Sequence, residues 1–272
     1  MVGGRRIDHL DALIQDVLYR GVPGDFIECG CWRGGVGLFA AAAFEAYATA
    51  AASISALVSP FATNAGRHSG SGGGTSGNMP PSAEMQEGGG LGGGLRRVWL
   101  ADSFSGLPPV DTGAFPADAA HKGSDDIQLL KANSVEHVER AAAALQLSHR
   151  THILPGFFNE SLPAALATAA TSTTAEEEKG GSSSEGGGGG GSDGGSSIRG
   201  VLPAKEGTLA ILRLDGDLYQ STLESLHYLY PLLSVGGHVV VDDFTDWDGC
   251  RNAVMDYRHA HGLTEPLQVK GQ

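Results

Sequence analysis

Cysteine, aromatic residues and positive charge are all scarce in this 272-residue chain, and each scarcity removes a class of function. The three cysteines, Cys29, Cys31 and Cys250, are an odd set with no second pair to complete a four-ligand zinc site. They read as reduced thiols in a cytoplasmic compartment. With 18 Lys and Arg against 31 Asp and Glu, the net charge of -13 opposes a polyanionic partner, because binding DNA or RNA rests on basic side chains that release phosphate counterions. A membrane partner finds as little support. No stretch reads as apolar for the ~20 residues a span needs; Glu45 interrupts the Ala-rich run from Ala40 to Val58, and Asp8, Asp11 and Asp16 fall where a signal peptide would be apolar.

Glycine, by contrast, is abundant at 42 residues and is concentrated in two tracts. Residues 59–94 and 171–200 hold few large apolar side chains and cannot bury enough surface to offset the entropy of ordering them. Both are expected to be disordered inserts in a single domain spanning 1–272, since they fall between elements, where added length costs little. Around them, Ile7, Leu10, Leu13, Ile14, Val17 and Leu18 mark an amphipathic helix closed by Gly21 and Pro23. Strands are expected at 25–28, 97–102, 151–154, 209–215 and 238–244, with a turn at 235–237. Helices are expected from Gly35 through Tyr47 and at 127–147, 161–169, 221–233 and 248–261. The loop from Ser103 to about Asp126 is long enough to read as a functional lid. Alternating strands and helices imply an α/β fold, a Rossmann-like doubly wound and mostly parallel sheet.

In such sheets ligands sit at the carboxyl ends of the strands, and here those ends carry Glu28, Asp102, Asp215, Asp242 and Asp243. The loop Gly30-Cys-Trp-Arg-Gly34 lets backbone approach a ligand, and an acid ending the next strand can accept from ribose hydroxyls. Strand-to-helix turns also use glycine for structural reasons alone. Asp215, Asp242 and Asp243 at adjacent strand ends would repel one another unless a hard divalent cation joined them. The other reading of these acids is as caps of the helices that follow. Trp32 and Tyr219 either flank a cofactor or pack a strand-helix junction. His227, His238, His259 and His261 show no metal spacing, and Cys29 and Cys31 read as packing residues beside Gly30.

Six ordered blocks resemble those of the macrocin O-methyltransferase (TylF-like) family of class I S-adenosylmethionine (SAM) methyltransferases. They are Met1 to Leu10, Gly24 to Gly35, Asp102 to Pro109, Pro155 to Pro163, Leu212 to Ser221 and Gly236 to Phe244. The resemblance implies SAM- and Mg2+-dependent methylation of a small-molecule hydroxyl, a sugar or other vicinal diol. It implies Asp215, Asp242 and Asp243 as metal ligands, with Asp215 at the reacting centre. It implies Glu28, Cys29, Gly30, Trp32 and Gly34 around SAM, and Asp102 with Ser103 at its ribose and adenine side. The layout is also similar to catechol O-methyltransferases, which carry a Lys three residues after the first metal acid where this chain has Leu218. No base is assigned: Asp217 and His121 are candidates only, each read first as structural or solvent-facing.

Family members normally extend beyond both ends of this chain and close the sheet with a final strand pair. Shortened ends predict an incomplete sheet with an exposed edge at 239–241, compatible with a fragment, a divergent form or a homo-oligomer. Two other readings stay open. One is a catalytically inactive relative that binds SAM or serves as an interaction module. The other is an NAD-dependent oxidoreductase, which shares the strand-Gly-helix start but has no use for the aspartate cluster.

Overall fold

The computed structural model describes residues 3–62, 95–121, 133–176, 202–203, 205 and 207–269. They form strands β1 (Asp25–Cys29), β2 (Val98–Asp102), β3 (Thr151–Pro155), β4 (Leu209–Leu214) and β5 (Leu233–Val241). The helices are α1 (Gly4–Tyr19), α2 (Gly35–Ala62), α3 (Val135–Ala144), α4 (Phe158–Glu176), α5 (Tyr219–Leu229) and α6 (Asp248–Ala260). The strands are all parallel, in the order β3-β2-β1-β4-β5. Strand order reverses between β1 and β4, which opens a crevice at their carboxyl ends.

Residues alternate between the two faces of the sheet, as a two-residue strand period requires. Phe26, Val98, Leu100 and Ile211 pack with Leu10, Ile14 and Val17 of α1 and Ala40, Ala41 and Phe44 of α2. Ile27, Trp99, Ala101, Leu212 and Leu214 pack on the other face with Leu162, Leu226, Leu229, Val254 and Tyr257 of α4, α5 and α6. Central strands buried on both faces read as continuous apolar runs. A charged side chain inside one, such as Arg213 in β4, is therefore exceptional.

Several boundaries differ from the sequence reading. Alanine is the best helix former, so α2 continues past Tyr47 to Ala62, and α4 runs from Phe158 to Glu176 rather than from 161 to 169. The starts of the two tracts at 59–62 and 171–176 are thus helical; 63–94 and 177–200 lie outside the described residues. The same holds for 122–132, so of the helix expected at 127–147 only α3 is described, fixed by Ser134, whose hydroxyl accepts the His137 N–H. The loop after β2 contains a 3-10 helix, Pro116–His121. Helix α5 ends at Leu229, short of 233, and hands over to a 3-10 turn, Tyr230–Leu232.

The turn expected at 235–237 is instead an outward bulge within β5. Register jumps there from Leu209 opposite Leu233 to Ile211 opposite His238, and Val235 is 91% exposed. Among the described residues β5 pairs with β4 alone. The Ala-rich run weighed above as the nearest approach to a span overlaps Gly35–Ile54 of α2, a window long and apolar enough to cross a membrane. Its Val36, Ala40, Ala41 and Phe44 lie in the core.

Candidate active site

The crevice is walled by loops that hold one another. Gly30 donates its N–H to Ala101 at 2.8 Å, and Asp215 donates to the Cys29 carbonyl at 2.8 Å, so the loop after β1 is pinned between β2 and β4. The fit demands glycine: Gly30 has φ +88°, and a Cβ there would lie 1.8 Å from the Asp215 carbonyl oxygen. Gly34, at φ +74°, closes the turn onto Val138 of α3, 2.9 Å from where its Cβ would stand. Both glycines thus have structural reasons to be there, whatever the loop binds.

Asp102, at the end of β2, accepts the Trp32 N–H at 2.8 Å on one oxygen and the Phe104 N–H at 2.9 Å on the other. Burial pushes its carboxyl up against those hydrogen bonds. Asn133 donates to the Trp32 carbonyl at 2.8 Å, and the Arg33 guanidinium lies 4.7 Å over the Trp32 ring. Ser103 donates its hydroxyl to the Gly106 carbonyl at 2.6 Å and so is already committed to its own turn. Trp32, Phe104 and Asp217 adopt left-handed backbone, with φ of 48°, 52° and 58°. Such conformations cost ~1–3 kcal/mol each and gather at functional sites.

On the other side of the crevice, one carboxylate oxygen from each of Asp215, Asp242 and Asp243 lies within 4.8 Å of the other two. Burial, then repulsion from Asp215, Asp217 and Asp242, pushes Asp243 up to about 9. Asp242 is raised as well, by burial and then by Asp215. The Asp217 N–H reaches Asp243 Oδ2 at 3.2 Å. Glu28 lies apart from the cluster: its buried carboxylate accepts from Arg213 Nη1 at 2.6 Å, and burial raises it to about 8 despite that partner. Cys29 is buried beside it with its thiol pushed up to about 12 by burial, consistent with packing rather than reactivity.

The rim therefore gathers Gly30, Trp32, Gly34, Asp102, Ser103, Asp215, Asp242 and Asp243, with Glu28 facing inward beneath the first turn of α2. The side chain of His121 lies outside the described residues. Three residues escape the sequence reading. Arg213 contacts Glu28 and two of the cluster acids; its signal is a lone cation in an apolar strand. Arg6 of α1 reaches Asp242 Oδ2 at 2.6 Å. Asp118, in the 3-10 helix, accepts the Tyr219 N–H at 3.0 Å and so caps α5, an interaction no local pattern announces.

Comparison with known proteins agrees with this fold. The sequence model of the macrocin-O-methyltransferase (TylF) family matches residues 1–62, 89–171 and 198–270. The 8-demethyl-8-(2,3-dimethoxy-alpha-L-rhamnosyl)-tetracenomycin-C 4'-O-methyltransferase of Streptomyces olivaceus is 30% identical over 98% of this chain and 70% of its own. The mycinamicin III 3''-O-methyltransferase of Micromonospora griseorubida is 27% identical over 98% and 73%. Among solved structures, the O-methyltransferase NovP superposes with a TM-score of 0.61 at 26% identity, over 98% of this chain and 76% of that one. The calicheamicin methyltransferase CalS11, at 19% identity and a TM-score of 0.50 over 95% and 71%, shares the fold. With the family match covering most of its length, the chain belongs to the macrocin-O-methyltransferase (TylF) family.

Proposed function

We propose that the chain is a SAM-dependent O-methyltransferase that uses Mg2+ or a similar divalent cation and methylates a hydroxyl of a small molecule, a sugar or other vicinal diol. The observation that carries this reading is the meeting of Asp215, Asp242 and Asp243 within 4.8 Å, across the crevice from the Gly30 loop. Arg213 and Arg6 offset part of that crowding at Asp215 and Asp242, and oxygen-only donors suit Mg2+ or Mn2+ for the remainder. The rhamnosyl compound named for the Streptomyces olivaceus relative supports a sugar-bearing acceptor. The reading treats 1–272 as one domain interrupted by its two tracts.

In this proposal Asp215, Asp242 and Asp243 hold the cation. Glu28, Cys29, Gly30, Trp32 and Gly34 form the cradle for SAM, and Asp102 and Ser103 its ribose and adenine side. When bound, the cation lowers the pKa of a coordinated hydroxyl and SAM supplies the methyl group. The chain itself contributes alignment, which can be worth ~7–11 kcal/mol. Asp102 is held by two backbone N–H groups, and Gly30 keeps the loop against β4. Asp217, whose N–H is tied to Asp243, is the candidate proton acceptor.

The test is SAM titration with and without Mn2+, followed by methyl-labelled SAM offered with a panel of polyols and glycosides. The expected result is cation-dependent labelled product. Asp215→Asn should keep the fold and lower turnover on the order of 100-fold. Undiminished turnover in that variant refutes the metal assignment, and SAM binding without product on any diol favours an inactive relative.

A further inference from the structure

We infer that Arg213 is the positioning residue of the carboxylate cluster, setting the bearings of Asp215 and Asp242 while Glu28 anchors the guanidinium. The inference rests on the divalent-cation reading of that cluster. Arg213 belongs to a strand whose other members are Leu, Ala and Ile, and its side chain is 4% exposed. A guanidinium in such a place carries a desolvation cost of several kcal/mol that only close, well-directed contacts offset.

Those contacts all fall on acids at the crevice. Nη1 donates to Glu28 Oε1 at 2.6 Å and to Asp215 Oδ2 at 2.8 Å, and Nη2 lies 3.1 Å from Asp242 Oδ2. One planar group thus meets the acids that follow β4 and β5, Asp215 by a hydrogen bond from Nη1 and Asp242 by the charge at Nη2, and its rigid plane sets their spacing. Asp243 is tied in the same manner, at Oδ2, by the Asp217 N–H, and Asp242 Oδ2 has a second partner in Arg6. One oxygen anchored on each carboxylate is how outer contacts orient metal ligands.

Packing does not account for this residue. An apolar side chain would fill β4 without the cost of a buried ion pair, whereas here Glu28 Oε2 has no hydrogen-bond partner and Nη2 meets Asp242 through charge without a hydrogen bond. What Arg213 provides in return is the fixed spacing of Asp215 and Asp242.

The test is Mn2+ affinity of the full chain, by calorimetry and by the electron paramagnetic resonance of free Mn2+. Three proteins are compared: wild type, R213K, which keeps the charge but loses the fork, and the double variant E28Q/R213M, which removes the buried pair together. Both variants should weaken Mn2+ roughly 10-fold or more. SAM affinity of R213K without metal should stay close to wild type. Wild-type Mn2+ affinity in either folded variant overturns the inference and leaves the cluster standing. So does an equal loss of SAM affinity in R213K, which would mark Arg213 as general scaffolding. Should R213K fail to fold, the double variant decides. A wild type that binds no Mn2+ overturns the cation reading, and the inference falls with it.

Discussion

A single methyl group at position 30 would disturb both walls of the crevice. In Gly30→Ala the new Cβ meets the Asp215 carbonyl oxygen at 1.8 Å in a backbone conformation that already disfavours it. We expect a loss of about 2 kcal/mol or more, read by urea denaturation, with SAM and cation binding weakened together. A variant that is as stable as wild type and binds as well would rule out the close approach. Gly30 is legible in the sequence as a loop glycine after a strand, but its partner lies far along the chain and no local pattern names it. Asp215, Asp242 and Asp243 are legible because each ends an apolar run. The orientation of Glu28 is not, since an acid ending a strand can face the crevice or the interior, and only Arg213 in the neighbouring strand decides it.

Among the elements, α5 depends on a cap borrowed from elsewhere. Leu218 at its N-terminus offers no side-chain acceptor, and Asp118 fills that role, seated so closely against α6 that a Cβ on Gly249 would lie 1.8 Å from its Oδ1. Asp118→Ala is expected to cost about 1–2 kcal/mol and to speed amide exchange at Tyr219, measured by hydrogen-exchange mass spectrometry. Unchanged exchange there would show that the cap is dispensable. Element types follow from the sequence almost throughout, because the apolar periods are clean and β1, β2 and β4 are central in the described sheet. Element ends do not: α2 runs on past Tyr47 to Ala62, and β5 absorbs Val235-Gly236-Gly237 as a bulge because pairing with β4 resumes at His238.

The molecule as a whole is tied at one flank by a polar clamp between α1 and β5. Asp16 accepts from Arg20 and pairs with His238 Nε2 at 2.7 Å, while Arg20 donates to the Gly236 carbonyl at 2.6 Å. The Arg20 hydrogen bond, then that of His238, lowers Asp16 from 3.8 to about 2. A carboxyl depressed on folding adds stability that is complete above its unfolded value and fades as pH falls through its folded one. The stability gap between wild type and Asp16→Asn should therefore hold steady above 3.8 and close toward pH 2. The clamp is exposed, so the gap is small; acid titrations of the two proteins check it. The family match skips 63–88 and 172–197, so a variant lacking 66–88 should melt within a few degrees of wild type. A large drop would mean that this tract packs against the fold.

The cradle proposed for the methyl donor hangs from β1 and β2, and the acids proposed for the cation follow β4 and β5. These two wings meet along one seam, where Cys29 and Gly30 lie against Asp215. Anything that shifts the seam therefore moves both proposed sites at once, while a change confined to the far end of either wing leaves the other where it is.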